Sequence, residues 1–195
     1  APVGDLDAAR PMTQDSHRGI WNCQWAFNSR AVLYSQDRDG DENWHVYALN
    51  IEAGSCIDLT PKDGVSAYVA NLSDRHPDSV VVAMNDRDES LHDLYLVDVM
   101  SAERTLLAEN LECAGLVVDH DFQVRLAFKV EADGAVRLYR YDQGTWQPLD
   151  RIPEEDSMVT HILEFEADNN RVLMADSRGR DTAALVRWDL STDER

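Results

Sequence analysis

The serine, histidine and acidic residues of this 195-residue sequence do not form the pattern that a hydrolytic nucleophile requires. The nearest approach to the nucleophile elbow G-x-S-x-G is Gly64-Val65-Ser66-Ala67, which fails at Tyr68. A serine hydroxyl also needs a neighbouring base before it can attack a carbonyl carbon. Composition alone leaves a serine–histidine–aspartate triad open, but no serine here lies in an activating context. The sequence therefore predicts no catalytic residue within this chain.

The residues that could bind a metal ion form weak patterns. The six histidines include no H-x-H or H-E-x-x-H motif, which would point to zinc. Asp37, Asp39 and Asp41 alternate as at the beginning of a calcium-binding loop, but Glu42 stands where that loop has glycine and Ala48 where it has glutamate. We interpret this stretch as a polar hairpin loop, and we predict neither a metal ion nor a cofactor.

Two charged clusters could contact a substrate. Glu154 and Glu155, followed by Asp156, could bind the amino group of a peptide. Arg178 and Arg180 could donate forked hydrogen bonds to a carboxylate of a substrate or of a neighbouring domain. The simpler alternatives are a solvated acidic turn and surface salt bridges. The candidate substrate-binding residues are therefore Glu154, Glu155, Arg178 and Arg180.

The formal net charge is −19, with 37 acidic and 18 basic residues spread along the whole chain. Such a field repels nucleic acids and anionic membrane surfaces. No apolar run approaches the roughly 18 residues of a membrane-spanning helix. We therefore expect neither nucleic acid nor a membrane as a partner.

The three cysteines, Cys23, Cys56 and Cys113, are odd in number and form no C-x-x-C pair. This pattern argues against a disulfide framework or a zinc site and favours free thiols in the cytoplasm. The opening string APVGDLDAARP lacks the basic and apolar regions of a signal peptide, and we expect that it is not a natural beginning.

The elements that must position these side chains are predicted to be β-strands. Short apolar runs such as residues 31–35, 80–84 and 171–175 are bounded by Asp, Gly, Asn and Pro. No stretch offers three turns of clean helical periodicity. The sequence therefore predicts an all-β fold.

A repeat specifies which all-β fold this is. Four strand segments end on Asn50, Asp98, Asp142 and Asp189, at spacings of 48, 44 and 47 residues. Residues 1–4 are a fainter fifth copy. Periods of about 40 to 50 residues with four strands each are typical of β-propeller blades. We predict a β-propeller of about four blades, each with four antiparallel strands, in an incomplete ring.

The repeat also predicts the blade boundaries. The chain would be a single partial propeller domain. Residues 1–16 would be the tail of a preceding blade, and residues 17–63, 64–110 and 111–156 would be three complete blades. Residues 157–195 would be a fourth blade without its last strand. Residues 9–13 resemble a fourth strand and could instead close a four-bladed ring. We favour an open ring, because four blades is the low end for propellers.

Aromatic side chains are expected to fill the gaps between blades rather than to stack on a ligand. Those concerned are Trp25, Trp44, Tyr47, Tyr95, Tyr139, Trp146 and Trp188. The charged loops between second and third strands should project from one face of the propeller, together with the connections between blades. That face is the best candidate for contacting another molecule.

The string QDRDGDENWHVYALNIEAGSCIDLTP, residues 36–61, resembles the propeller domain of the prolyl oligopeptidase family of serine peptidases, including its acylaminoacyl-peptidase-like members. NDRDESLHDLYLVDV, DHDFQVRLAF and DSRGRDTAALVRWDLSTDER resemble the matching stretches of later blades, so the likeness covers nearly the whole chain. The order of these motifs over four blades is more specific than any one of them.

The resemblance implies that a propeller of seven or eight blades caps a C-terminal α/β-hydrolase domain that carries the catalytic residues. It also implies that the propeller admits only peptides or small substrates. In the dipeptidyl-peptidase branch a glutamate pair holds the substrate amino terminus, and Glu154-Glu155 resembles that pair in composition, not in matched position.

Two functions follow as hypotheses. The first is a non-catalytic propeller portion that gates or selects peptide substrates for a C-terminal hydrolase domain not present in this chain. The alternative is a free-standing scaffold for protein–protein contacts, like TolB-type or WD-type propellers. A start in mid-blade and an end after a third strand favour the first. Open blade edges and faces would also favour self-association.

Overall fold

The computed structural model describes residues 4–16 and 18–195. Alternating apolar residues in these ranges form fifteen β-strands, beside two 3-10 turns at Leu6–Ala8 and Glu154–Asp156. The faint repeat at residues 1–4 lies, apart from Gly4, outside the described residues, as does His17. The prediction of an all-β fold is confirmed.

The strands form four antiparallel sheets in which neighbours along the chain are neighbours in the sheet. Blade 1 contains β1 (Trp21–Trp25), β2 (Ala31–Gln36), β3 (His45–Asn50) and β4 (Cys56–Asp58). Blade 2 contains β5 (Ala67–Leu72), β6 (Ser79–Asp88), β7 (Leu91–Asp98) and β8 (Arg104–Ala108). Blade 3 contains β9 (Gly115–Val118), β10 (Val124–Val130), β11 (Val136–Asp142) and β12 (Thr145–Ile152). Blade 4 contains β13 (His161–Phe165), β14 (Arg171–Asp176) and β15 (Ala184–Asp189). The sheets form the predicted four-bladed β-propeller, and the fourth has three strands among the described residues.

The hydrophobic cores lie between consecutive blades. Side chains alternate along a strand, so Val80 and Val82 of β6 face blade 1 and pack with Leu33, whereas Val81 faces blade 3 and packs with Phe122. A third core joins blades 3 and 4. We call the face towards the preceding blade the leading face and the opposite one the trailing face.

Two blade faces carry no such core in the described part of the chain. Trp25, on the leading face of blade 1, is 59% exposed. The expectation that Trp25 packs between blades is therefore wrong for this structure, because no blade precedes it there. Trp188, on the leading face of blade 4, is 0% exposed and lies in the core with blade 3, as expected.

Residues 9–13 form no strand and pair with no strand of blade 4. Met12 and Thr13 instead lie beside Val32 and Tyr34 on the leading face of blade 1. The alternative in which this segment closes a four-bladed ring is therefore wrong, because the segment joins no sheet in the described structure.

Loops that join the first and second strands tie the blades to one another. Asn28 and Arg30 of blade 1 donate to Asp78 of blade 2 at 3.1 and 2.8 Å. Arg75 of blade 2 donates to Asp121 of blade 3 at 2.7 Å and to the carbonyl of Ala167 in blade 4. One arginine thus contacts two further blades.

We predict that Trp188→Ala lowers the free energy of unfolding by about 3–5 kcal/mol, because it empties a large buried site and leaves Asp193 without its indole N–H donor at 2.9 Å. Urea unfolding followed by circular dichroism measures the change. Leu111→Ala is the control, since Leu111 is 71% exposed and its truncation should change stability by less than about 0.5 kcal/mol. Equal effects of the two substitutions would contradict the assignment of the core.

Candidate functional site

One end of the propeller carries the loops between second and third strands, at residues 37–44, 89–90, 131–135 and 177–183. The connections between blades, at residues 59–66, 109–114 and 153–160, lie at the same end because antiparallel strands alternate in direction. We call this end the loop rim. It is the candidate surface for contacting a substrate or another domain.

Arg18 holds the rim of blade 1. Its Nε and one terminal nitrogen each donate to the Asp37 carboxylate at 2.8 Å. The backbone N–H of Glu42 adds a bond of 3.3 Å to the same carboxylate, whose side chain is fully buried. The Arg18 hydrogen bond lowers the pKa of Asp37, so this carboxylate stays ionised.

A similar fork holds the rim of blade 2. Arg87 donates from two nitrogens to Asp93 at 2.8 Å each and from one of them to the carbonyl of Asn110 at 2.6 Å. Asp93 also accepts the backbone N–H of Asn110 at 2.7 Å. Burial acts to raise the pKa of Asp93, but the bonds from Arg87 and Asn110 outweigh it and the net pKa is lowered. The fork thus joins a hairpin to the connection between blades 2 and 3.

Blade 3 repeats the arrangement with two arginines. Glu131 accepts Arg137 Nε at 3.0 Å and Arg151 Nε at 2.7 Å, and Arg151 also pairs with Asp133. The hydrogen bond from Arg151 is the main cause that lowers the pKa of Glu131. Every blade, including blade 4 below, therefore carries an arginine–carboxylate pair at the rim.

Arg178, a predicted site residue, is the arginine of blade 4. It donates to both oxygens of Asp176 at 2.9 and 2.7 Å and to Asp150 of blade 3 at 2.9 Å. The Asp176 hydrogen bond raises its pKa. The salt-bridge alternative describes its contacts here, and its role as a substrate contact stays a prediction.

Arg180, also a predicted site residue, is exposed, and its side chain makes no hydrogen bond or ion pair within the described ranges. It lies two residues beyond Arg178 in the loop that follows β14. Its role as a substrate contact stays a prediction.

Glu154 and Glu155 are exposed in the 3-10 turn between blades 3 and 4. Glu154 lies over Gly134, where the space admits no side chain: a Cβ there would come within 2.5 Å of Glu154 Cγ. Gly134 also has a φ of +85°, which favours glycine. The acidic turn thus packs against the β10–β11 hairpin, and its role as a substrate contact stays a prediction.

The structure brings the two predicted clusters to the same junction. Ser177 Oγ donates to Asp156 at 2.6 Å, and the N–H of Ser177 donates to Thr160 Oγ1 at 2.9 Å. These bonds link the 3-10 turn that holds Glu154 and Glu155 to the loop that holds Arg178 and Arg180. Carboxylates and a cationic side chain therefore lie near one another at the end of blades 3 and 4.

Sequence reasoning missed Arg18, Arg87 and Asp93. The repeated string D-R-D gave a partial signal, but its two arginines differ. Arg87 forms a fork with the buried Asp93, whereas Arg38 is largely exposed and lies 3.6 Å from Asp63. In blade 1 the fork comes from Arg18, nineteen residues before Asp37, which no local pattern shows.

Within the described residues, no three His, Cys, Asp or Glu side chains are grouped as metal ligands. His45 Nδ1 lies 2.8 Å from Asp58 Oδ2, which is the acid–histidine half of a triad. No serine or cysteine of the described ranges hydrogen-bonds to this histidine. No helix of the described chain is long and apolar enough to cross a membrane.

The chain matches no protein-family model. It is 39% identical over 197 aligned residues to dipeptidyl aminopeptidase BIII of Pseudoxanthomonas mexicana, an alignment that covers all of this chain and 29% of that protein. The alignment covers the whole chain and therefore includes the blade motifs that resemble prolyl oligopeptidases. The match supports the resemblance of the chain to a propeller portion of a prolyl oligopeptidase-family peptidase. The chain corresponds to a propeller portion and spans less than a third of the relative's length.

Solved structures share the fold of this chain at low identity. A puromycin-hydrolyzing peptidase of Mycobacterium tuberculosis superimposes with a TM-score of 0.60 at 17% identity, over 97% of this chain and 30% of that one. TolB from Acinetobacter baumannii gives 0.59 at 14% identity, over 93% of this chain and 43% of that one. Both likenesses show the fold alone.

We predict that Asp93→Asn lowers the free energy of unfolding by about 2 kcal/mol at pH 7, because Arg87 and the N–H of Asn110 lose an ionised acceptor. The folded-state pKa of Asp93 lies below its ordinary value of 3.8, so the ionised group stabilises above that pH. This stabilisation disappears as the pH falls through the lower, folded-state pKa. Urea unfolding should therefore show a constant difference between the two proteins above the ordinary pKa of 3.8 and a smaller difference as the pH falls below it. Asp63→Asn, at a 95% exposed side chain, is the control and should stay near wild type throughout.

Proposed function

We propose that this propeller gates and selects peptide substrates for an α/β-hydrolase domain that follows it in a longer serine peptidase. The observation that carries the proposal is the 39% identity over the whole chain to a dipeptidyl aminopeptidase of which the chain spans 29%. A catalytic domain fits within the remaining length of such a relative. The partners are then that domain and the peptide substrate.

The geometry of the loop rim supports a gating role. Its arginine–carboxylate forks fix the hairpins of all four blades, while Glu154, Glu155 and Arg180 remain exposed between them. A fixed frame with exposed charges can exclude large chains by size and can orient a peptide by its termini.

Glu154 and Glu155 are suited to bind the amino terminus of a peptide. An ammonium group is a compact donor of three hydrogen bonds and pairs with carboxylates. Arg180 lies in the loop whose Ser177 is hydrogen-bonded to Asp156 of the acidic turn. Its guanidinium group could pair with a substrate carboxylate. A substrate with both charges near one another is therefore a short peptide.

We also propose a cytoplasmic location. Cys23 and Cys56 are exposed and free, and Cys113 is buried and free. Exposed thiols persist best in a reducing compartment. The net charge of −19 gives no attraction to nucleic acid or to an anionic membrane surface.

A free-standing scaffold is the alternative function. Its support is the fold likeness to TolB at 14% identity, which is less specific than the identity to a peptidase. The experiment below separates the two functions, because a scaffold would not support hydrolysis.

A chimera tests the main proposal. We predict that dipeptidyl aminopeptidase BIII, with its matching region replaced by this chain, hydrolyses a dipeptidyl substrate, while the 195-residue chain alone does not. The physical reason is that the propeller supplies the frame of the active-site entrance and the other domain supplies the chemistry. Gel filtration and circular dichroism establish folding. A folded chimera without hydrolysis, beside an active unmodified relative, would count against the proposal.

In the active chimera, we predict that Glu154→Gln with Glu155→Gln raises KM for peptides with a free amino terminus by about tenfold or more. A charge-assisted hydrogen bond contributes about 1.5–3 kcal/mol, and about 1.4 kcal/mol is tenfold in affinity. N-acetylated peptides should show no change. Glu52→Gln with Glu103→Gln is the matched control, since both are exposed at the opposite end of the blades. Unchanged kinetics on free amino termini would refute the assignment.

A further inference from the structure

A cavity of about 260 Å³ lies between blades 3 and 4. Its lining residues belong to blade 3, to β13 of blade 4 and to the connection that joins the two blades. The floor is apolar, with Leu126 from β10, Val136 from β11 and Ile152 from β12. Phe128, Val136 and Ile162 are half-buried, so the cavity is open to solvent. An open apolar cavity of this kind favours an apolar ligand.

Two sets of contacts hold the walls of this cavity in place. The Phe128 ring occupies the space where residue 115 would carry a side chain, because a Cβ on Gly115 would come within 2.5 Å of the ring. In the connection between the blades, Thr160 Oγ1 lies 3.0 Å from Ser177 Oγ and accepts the Ser177 N–H at 2.9 Å. The cavity is therefore formed before a ligand arrives, which lowers the entropic cost of binding.

The acidic turn adjoins the cavity. Ser157 lines the cavity, and its Oγ donates to the main-chain carbonyl of Glu154 at 2.9 Å. Three residues of a 3-10 turn advance by about 6 Å. An amino acid whose ammonium group pairs with Glu154 or Glu155 can therefore place its own side chain in the cavity, because the ammonium nitrogen and the side chain are bonded to the same Cα atom.

The volume of the cavity fits a single side chain. An apolar cavity of about 150 Å³ is enough to bind benzene, whereas pockets for whole drug-sized ligands usually measure about 300–1,000 Å³. At about 260 Å³, the cavity admits a leucine or phenylalanine side chain and leaves the rest of the molecule outside.

We propose that this cavity binds a large apolar side chain on the first residue of a peptide whose ammonium group pairs with Glu154 or Glu155. The inference rests on the proposed function and adds a substrate class to it: peptides that begin with leucine, phenylalanine or a residue of similar size. Glycine at this position leaves the cavity empty, so peptides that begin with glycine bind more weakly. The carboxylates recognise a free amino terminus, and the cavity selects the residue that carries it.

Leucinamide tests the cavity without a hydrolase domain. We expect it to shift the methyl NMR resonances of Leu126, Val136 and Ile152 in the 195-residue chain in a saturable manner up to tens of millimolar. Glycinamide should shift them far less, and N-acetyl-leucinamide should require an about tenfold higher concentration, because it lacks the ammonium group. Leu33 and Val82, in the core between blades 1 and 2, are the internal control. The proposal is overturned if leucinamide shifts the cavity resonances no more than the control resonances.

Variants of the active chimera test the selection of substrates. Val117→Phe fills the cavity, so we expect kcat/KM for substrates that begin with leucine, relative to those that begin with glycine, to fall by about tenfold or more. Val130→Phe is the matched control, since Val130 belongs to the same blade, is 63% exposed and is not among the lining residues. Ile162→Ala enlarges the cavity and should move the preference from leucine towards phenylalanine. Circular dichroism establishes that the three variants fold.

The two experiments separate this inference from the proposed function. An inactive chimera beside an active relative would count against the proposed function, and the leucinamide titration would still decide whether the cavity binds the side chain. A folded, active Val117→Phe chimera with an unchanged ratio of leucine to glycine substrates would overturn the cavity as a specificity site. An equal fall of that ratio in Val130→Phe would do the same.

Discussion

The constraint on which this structure depends is that each blade has two apolar faces and is too thin to bury either by itself. In β6, Val80 and Val82 on one face and Val81 and Ala83 on the other are all 0% exposed. That is possible only because blades 1 and 3 cover the two faces. Position in the stack, rather than residue type, then decides burial. Trp188 and Trp25 both lie on leading faces, and only the first has a blade in front of it.

Stacking also explains how an acidic chain forms an ordered rim. Once the cores fix the strand ends, the carboxylates near them lose solvent, as Asp37 and Asp93 do. An ionised group at such a site is unfavourable unless it is paired and hydrogen-bonded. The forks from Arg18 and Arg87 offset that cost with two hydrogen bonds each. Part of the acidic excess therefore belongs to the framework, and the exposed remainder, such as Glu154 and Glu155, faces solvent.

The fold was more predictable than the site. Alternating apolar runs and a period of 44 to 48 residues identify strands and blades, because both depend on neighbours within one sheet. The partner of a rim arginine depends instead on distant segments. Arg38 and Arg87 occupy the same string D-R-D, yet only Arg87 forms a fork, with the buried Asp93, whereas Arg38 lies 3.6 Å from the exposed Asp63. Residues 9–13 resemble a strand, but a strand also needs an edge within reach, which their sequence does not encode.

The two ends of the propeller are held in different ways. At the loops that join the first and second strands, hydrogen bonds connect one blade to another. Arg30 donates to Asp78, and Arg75 donates both to Asp121 and to the carbonyl of Ala167 in blade 4. At the loop rim, most forks lie within one blade and its connection, and Arg178 to Asp150 is a pair that crosses between blades. Separating the blades at the rim therefore breaks fewer polar contacts than separating them at the opposite end. The hydrogen bonds that fix the spacing of the blades are therefore concentrated at the end opposite the loop rim.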